Sequence, residues 1–93
     1  MMKKVRVHLL ISGDVTGVGF RYWTKVIAQS LNLTGYVRNA DRGLVEAVFE
    51  GNEDNVKQMI EKCRKGPQVS QVNGLQIQWE EANGGNIGFE IRQ

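Results

Sequence analysis

Three stretches of the chain carry the two-residue alternation of apolar and polar positions that is typical of a half-buried β-strand. They cover residues 5–11, 35–39 and 44–50. Residues 40–43, between the last two, end in a glycine, which suits the positive φ of a tight hairpin loop. The pattern therefore predicts three strands, of which the second and third pair antiparallel.

Two other stretches repeat apolar residues at the spacing of an amphipathic helix. The first helix is predicted over residues 20–31 and has Arg21 in its first turn. The second begins after Asn52, which can cap it, and ends at Gly66 and Pro67. Its buried stripe is predicted to be Val56, Met59, Ile60 and Cys63.

The carboxyl-terminal quarter of the chain completes a recognisable order of elements. Two more strands are predicted, around Leu75, Ile77 and Trp79 and around Phe89 and Ile91. A glycine-rich loop, residues 83–86, joins them. Strand, helix, strand, strand, helix, strand, with a short strand appended, is the split β-α-β or ferredoxin-like pattern. We expect an α+β fold with two helices on one face of an antiparallel sheet, in a single domain over residues 1–93.

Composition narrows the classes of partner and the location. The 93 residues are 41% hydrophobic and 24% charged, and no stretch is long enough to cross a bilayer. Twelve basic residues oppose ten acidic ones and are spread along the chain, which argues against a nucleic-acid partner. One cysteine and one histidine, Cys63 and His8, are too few for the usual zinc sets, so no metal is expected. An unpaired cysteine favours a cytoplasmic protein.

The loop between the first strand and the first helix carries the candidate chemistry. Residues 13–19 include three glycines and lead directly into a helix, so peptide N–H groups and the helix dipole can bind an anion there. Arg21 follows closely, and its planar guanidinium matches two phosphate oxygens. The spacing alone leaves two readings open, a phosphate cradle or a glycine-rich turn that serves geometry only.

The surrounding residues favour the phosphate cradle. The string Gly-Asp-Val-Thr-Gly-Val-Gly-Phe-Arg, residues 13–21, resembles the acylphosphatase signature, with Thr16 where glutamine is common. Residues 31–39 are similar to the second motif of that family, and residues 42–47 resemble its hairpin. The resemblance continues in order over nearly the whole chain.

The acylphosphatase resemblance implies a metal-independent hydrolase that cleaves the carboxyl–phosphate bond of a small acyl phosphate and needs no cofactor. Inorganic phosphate would be its product and a competitive ligand. Arg21 corresponds to the arginine that binds phosphate, and Asn39 to the asparagine that positions the attacking water. The cradle implied by the motif is Val15, Thr16, Gly17, Val18, Gly19 and Phe20, together with Arg21.

The sequence also supports predictions for other residues and leaves two alternative functions open. His8 is expected to be a solvated surface residue, and Trp23 and Trp79 to be structural. Asp14 adds a carboxylate near the mouth of the anion site, which should weaken substrate binding. A non-catalytic anion-binding domain and a nucleic-acid module of the same topology are the alternatives. A monomer is expected, because one helix-covered sheet face accounts for the apolar residues.

Overall fold

The computed structural model describes residues 3–17 and 19–93. Within these residues the helices and strands follow the order that the sequence predicts. The strands are β1 (Lys4–Asp14), β2 (Thr34–Asn39), β3 (Val45–Asn52), β4 (Gln71–Glu81) and β5 (Phe89–Arg92). The helices are α1 (Phe20–Ser30) and α2 (Glu53–Lys65), and a short 3-10 turn, Asp41–Gly43, lies between β2 and β3.

The described strands form one sheet in the order β4-β1-β3-β2-β5. The pairs β1 with β4, β1 with β3 and β2 with β3 are antiparallel. The ferredoxin-like prediction is confirmed, with one difference, since β5 runs parallel to β2 and makes the sheet mixed. Because β4 and β5 lie at opposite edges, residues 82–88 do not form a hairpin but cross from one edge to the other.

The core lies between the sheet and the two helices. Alternate residues of β1, among them Val7, Leu9 and Ile11, are fully buried, as the two-residue period predicts. The predicted stripe of α2 is buried along its whole length, and α1 contributes Phe20 and Ala28 to the same cluster. Neither helix of the described residues is long and apolar enough to cross a membrane.

Two predicted details of the elements differ in the structure. Strand β1 continues to Asp14, because Gly13 and Asp14 pair with β4 after a register shift, so the loop that follows begins only at Val15. Asn52 stands at the N-cap of α2, but its side chain makes no capping hydrogen bond. The N–H of Glu53 instead donates to the carbonyl of Lys3 at 2.8 Å.

The edge strand β4 is incompletely covered. Ile77 and Trp79 lie opposite Leu9 and Val7 in register and therefore face the helices, yet they are 38% and 48% exposed. Trp23, in contrast, packs against the core. The expectation that one helix-covered face accounts for the large apolar residues is therefore wrong at this edge.

The face opposite the helices carries linked charges. His8 Nε2 lies 2.6 Å from Glu46 Oε2, and the guanidinium of Arg38 pairs with the same carboxylate. Burial alone would raise the pKa of Glu46, but the hydrogen bonds from His8 and Arg38 outweigh it and lower the pKa. His8 is thus half-buried and hydrogen-bonded, not solvated as predicted.

Candidate functional site

The loop between β1 and α1 is held at both ends by the core. Val15 and Phe20 are each 1% exposed, whereas Thr16, Gly17 and Gly19 between them are exposed. The side chains of Val15 and Phe20 are therefore committed to packing, and these residues can contact a ligand at this surface mainly through their peptide groups. Val18 lies outside the described residues.

Glycine is required at two positions of this loop. Gly17 and Gly19 have φ of 72° and 77°, in the left-handed region that other residues reach only with strain. Gly19 is also the N-cap of α1, because the N–H of Trp23 donates to its carbonyl at 3.0 Å. The loop thus turns directly into the helix.

The amino terminus of α1 carries a partial positive charge that no acidic residue of its first turn neutralises. Its N-cap residue provides no side-chain hydrogen bond, and its first turn contains no acidic residue. The first N–H groups of a helix have no acceptor within the helix, and the helix dipole adds a partial positive charge there. An anion is the natural ligand for such an end when further donors converge on it.

Arg21 is the further donor. Together with the loop it borders a shallow hollow of about 170 Å³, which is lined by Val15, Gly17, Gly19, Phe20, Arg21, Tyr22 and Ile91. Among residues 3–17 and 19–93, no carboxylate lies within ion-pair distance of Arg21. The guanidinium and the loop amides can therefore act together on one anion.

Asn39 lies at the same end of the sheet. It is the last residue of β2 and is paired with Val45, which is paired in turn with Ile11 near the end of β1. Strand alternation turns Asn39 to the helix-covered side, the side of the buried Val37. The N–H of Ala40 donates to the carbonyl of Leu44 at 2.8 Å and closes the hairpin directly behind Asn39.

The fold gathers most, but not all, of the predicted site residues around the hollow. Gly17, Gly19 and Arg21 border it directly, with Val15 and Phe20, whereas Thr16 and the exposed Asn39 are not among its lining residues. Asp14, the exposed last residue of β1, comes immediately before the loop. Asn39 lies at the end of β2, at the same end of the sheet as the hollow.

Two lining residues were missed by the sequence reasoning, Tyr22 and Ile91. A signal for Tyr22 exists, since it lies on the side of α1 opposite the apolar stripe and yet is aromatic. For Ile91 no local signal exists, because its proximity to α1 depends on β5 adding parallel to β2.

Comparisons with known proteins point to one family. A family model described as Acylphosphatase matches residues 7–91. The chain is similar to an acylphosphatase of Trichormus variabilis, with 46% identity over 89 residues that cover 96% of this chain and 87% of that protein. An acylphosphatase of Syntrophobacter fumaroxidans is 47% identical over 90 residues, 97% of this chain and 93% of that protein. The crystal structure of an acylphosphatase from Bacillus subtilis matches with a TM-score of 0.91 and 30% identity, over 96% of this chain and 99% of that one.

Proposed function

Because the chain belongs to the acylphosphatase family of hydrolases that act on acyl phosphates, we propose that Arg21, Asn39 and the loop over residues 15–20 carry out this hydrolysis. The reaction splits the carboxyl–phosphate bond and yields a carboxylate and inorganic phosphate. Each group has a separate task.

Arg21 and the loop amides bind the phosphoryl group. The guanidinium contacts two phosphate oxygens, and the N–H groups at the start of α1 take the remaining negative charge. Phosphoryl transfer passes through a loose transition state, so fixed donors around the equatorial oxygens supply most of the stabilisation that the protein must provide. Inorganic phosphate, which carries the same oxygens, competes for this site.

Asn39 positions the attacking water. Its neutral amide holds a water in line with phosphorus and opposite the leaving oxygen, which converts an encounter into an oriented reaction. The water passes its proton to a phosphate oxygen of the substrate. The leaving group departs as a stabilised carboxylate, so no general acid is needed at that oxygen.

The observation that carries this proposal is the hollow in which Gly17, Gly19 and Arg21 meet. Two left-handed glycines, an α1 amino terminus without an acidic residue and a half-buried arginine without a carboxylate partner among the described residues form one anion-binding surface. The position of Asn39 at the end of β2, on the helix-covered side at the same end of the sheet, also supports the proposal.

Further parts of the proposal follow from the same residues. Charge stabilisation by Arg21 and peptide groups makes a metal ion unnecessary for hydrolysis. We expect a single domain to carry out the reaction. A cytoplasmic location accords with the free Cys63, whose burial raises the pKa of the thiol to about 12 and keeps it protonated. A monomer remains a prediction for sedimentation to check, because Ile77 and Trp79 stay partly exposed.

The test is hydrolysis of benzoyl phosphate in the presence of EDTA by the wild type, Arg21→Ala and Asn39→Ala. Loss of either group is expected to lower kcat/KM by about 100-fold to 1,000-fold, as for other pre-organised donors in active sites. Arg21→Ala should also abolish inhibition by inorganic phosphate, whereas Asn39→Ala should retain it.

Matched controls are Arg64→Ala and Asn73→Ala, which remove the same side-chain types from the exposed surface of α2 and from β4. Both are expected to keep wild-type kinetics. A folded wild type that binds phosphate through Arg21 but shows no turnover would overturn the assignment and favour the anion-binding domain without catalysis. The nucleic-acid alternative has little support, since Arg6, Arg38 and His8 on the open face all pair with carboxylates.

A further inference from the structure

The hollow at Arg21 has an apolar rim. Tyr22 and Ile91 both border it, and they are 67% and 38% exposed. A single exposed apolar side chain is ordinary on a protein surface and needs no explanation. Tyr22 and Ile91, however, are far apart in the sequence and lie together at the edge of the proposed anion site, where they form an apolar surface.

The fold places these two residues beside the hollow. Tyr22 directly follows Arg21 in the first turn of α1, on the side turned away from the buried Phe20. Ile91 lies on β5 beside the buried Val37 of β2 and therefore faces α1. Both elements are anchored, since Phe20 and Phe89 are 1% and 5% exposed. The positions of Tyr22 and Ile91 at the rim thus follow from the packing of α1 and β5.

We propose that Tyr22 and Ile91 bind the acyl group of the substrate and select acyl phosphates whose acyl group is bulky and apolar, above all aromatic. The inference rests on the proposed function. In an acyl phosphate, one bridging oxygen separates phosphorus from the carbonyl carbon. When the phosphoryl group lies against Gly17, Gly19 and Arg21, the acyl group must therefore leave the hollow across its rim.

The chemistry of the rim favours a flat apolar group. A tyrosine ring packs against another aromatic ring in an offset or edge-on arrangement, and its hydroxyl stays in water. Isoleucine adds aliphatic area on the other side. Neither side chain carries a charge, so an acyl group with a second carboxylate gains no partner from them. Acetyl phosphate, with a single methyl group, is too small to cover either side chain.

The test compares benzoyl phosphate with acetyl phosphate, and its readout is the ratio of their kcat/KM values. Tyr22→Ala is expected to lower this ratio about fivefold to tenfold, and Ile91→Ala about twofold to threefold, from the apolar area that each side chain covers. The change should reside in KM for benzoyl phosphate, because the ring lies away from the reacting atoms and is bound equally in ground and transition states. Tyr22→Phe should keep the wild-type ratio.

Tyr36→Ala is the matched control, since Tyr36 lies on β2 under the guanidinium of Arg92, 4.1 Å from its ring centre, and does not line the hollow. It should leave the ratio unchanged even if it destabilises the fold, because a ratio is independent of the active fraction. An unchanged ratio in both Tyr22→Ala and Ile91→Ala, with both substrates still hydrolysed, would overturn the inference alone. A wild type that hydrolyses neither substrate would overturn the proposed function and this inference with it.

Discussion

The two ends of the sheet bring together the same donors for different purposes. Near the amino end of β1, on the open face, Arg6 Nη1 and the N–H of Asn83 each lie 3.1 Å from Glu50 Oε1, and the N–H of Gly84 lies 2.8 Å from Oε2. At the carboxyl end of β1, Arg21 meets the loop with Gly17 and Gly19. Each end therefore combines one arginine with the main chain of a glycine-containing loop.

The difference lies in where the anion comes from. Glu50 is 7% exposed, and burial alone would raise the pKa of its carboxyl. The hydrogen bonds from Asn83, Gly84 and Arg6 outweigh burial and lower that pKa below 4.5. One arginine and two amides thus favour the ionised form of this buried carboxylate. In the proposed site, Arg21 and the amides of the loop would offer similar donors to the phosphate of a substrate.

The carboxylate of Glu50 has a structural task that the proposed substrate site does not share. Residues 82–88 must cross three strands to carry the chain from β4 to β5. Glu50 holds the start of this crossing, Asn86 accepts a hydrogen bond from Arg6 at 3.1 Å, and the carbonyl of Gly88 accepts one from Gly35 at 3.0 Å. At this end the donor set stabilises the fold, whereas at Arg21 it can serve catalysis.

Removing the buried carboxylate of Glu50 should have the largest effect on stability. Glu50→Gln leaves the N–H groups of Asn83 and Gly84 with one neutral acceptor in place of a carboxylate, while Arg6 keeps its ion pair with Glu80. The free energy of unfolding should fall by about 2 kcal/mol, the usual cost when partly buried hydrogen bonds lose a charged acceptor. Denaturant titration at pH 7 measures this loss, and kcat/KM should stay at the wild-type value, because the change is at the opposite end of the sheet.

The difference in stability between wild type and Glu50→Gln should depend on pH. Because the folded-state pKa of Glu50 lies below its ordinary value of 4.5, the unfolded chain binds more protons in that range. The stabilisation is complete above pH 4.5 and is lost as the pH falls through the folded-state pKa. The difference between wild type and Glu50→Gln should therefore shrink below pH 4.5. If the difference in unfolding free energy between wild type and Glu50→Gln stays constant from pH 7 to pH 3, the ionised carboxylate of Glu50 does not stabilise the fold.

Alanine substitution of one glycine in each loop distinguishes the role of the loop before α1 from that of residues 82–88. Gly19 and Gly84 have φ of 77° and 66°, and open space surrounds the position of a Cβ atom at both. Alanine at either position should therefore cost a similar left-handed strain, about 1–2 kcal/mol in the free energy of unfolding. Only Gly19→Ala should also disturb the amides around Arg21 and lower kcat/KM about tenfold.

The measurement for this pair is the inhibition constant of inorganic phosphate beside the unfolding free energy. Gly19→Ala should raise the inhibition constant, and Gly84→Ala should leave it unchanged at equal loss of stability. If both variants keep wild-type inhibition, the loop at Gly19 is a turn that serves geometry only, which is the alternative that the glycine spacing left open.

The end of the sheet that carries the proposed site was more accessible to sequence reasoning than the other end. The string over residues 13–21 is local, so its glycines, its helix start and Arg21 could be interpreted together. Glu50, by contrast, alternates outward on β3 and resembles any solvated glutamate in the sequence. Its burial depends on the path of residues 82–88, which no local pattern specifies.

The same reason explains the other misses. The parallel position of β5 is stabilised by contacts far apart in the chain, such as the rings of Phe49 and Phe89, whose centres lie 5.4 Å apart. The meeting of Tyr22 with Ile91 follows from that position. Local periodicity predicts which element a residue belongs to, whereas the sheet order decides which edge stays exposed, as Trp79 on β4 illustrates.

Asp14 should produce the smallest of these effects and tests the charge difference between the two ends directly. It is an exposed carboxylate on the last residue of β1, next to the loop at Val15, where the substrate brings its own negative charge. Asp14→Asn is expected to lower KM about twofold to threefold at low ionic strength with kcat unchanged. Salt near 0.5 M should remove most of the difference, since the screening length of exposed charges falls from about 10 Å at 0.1 M to about 3 Å at 1 M. Asp54→Asn, in the first turn of α2, makes the same change in net charge away from the site and should leave KM unaltered. An unchanged or raised KM in Asp14→Asn would mean that this carboxylate does not act on the substrate, and that the anion preference of the hollow depends on Arg21 and the amides alone.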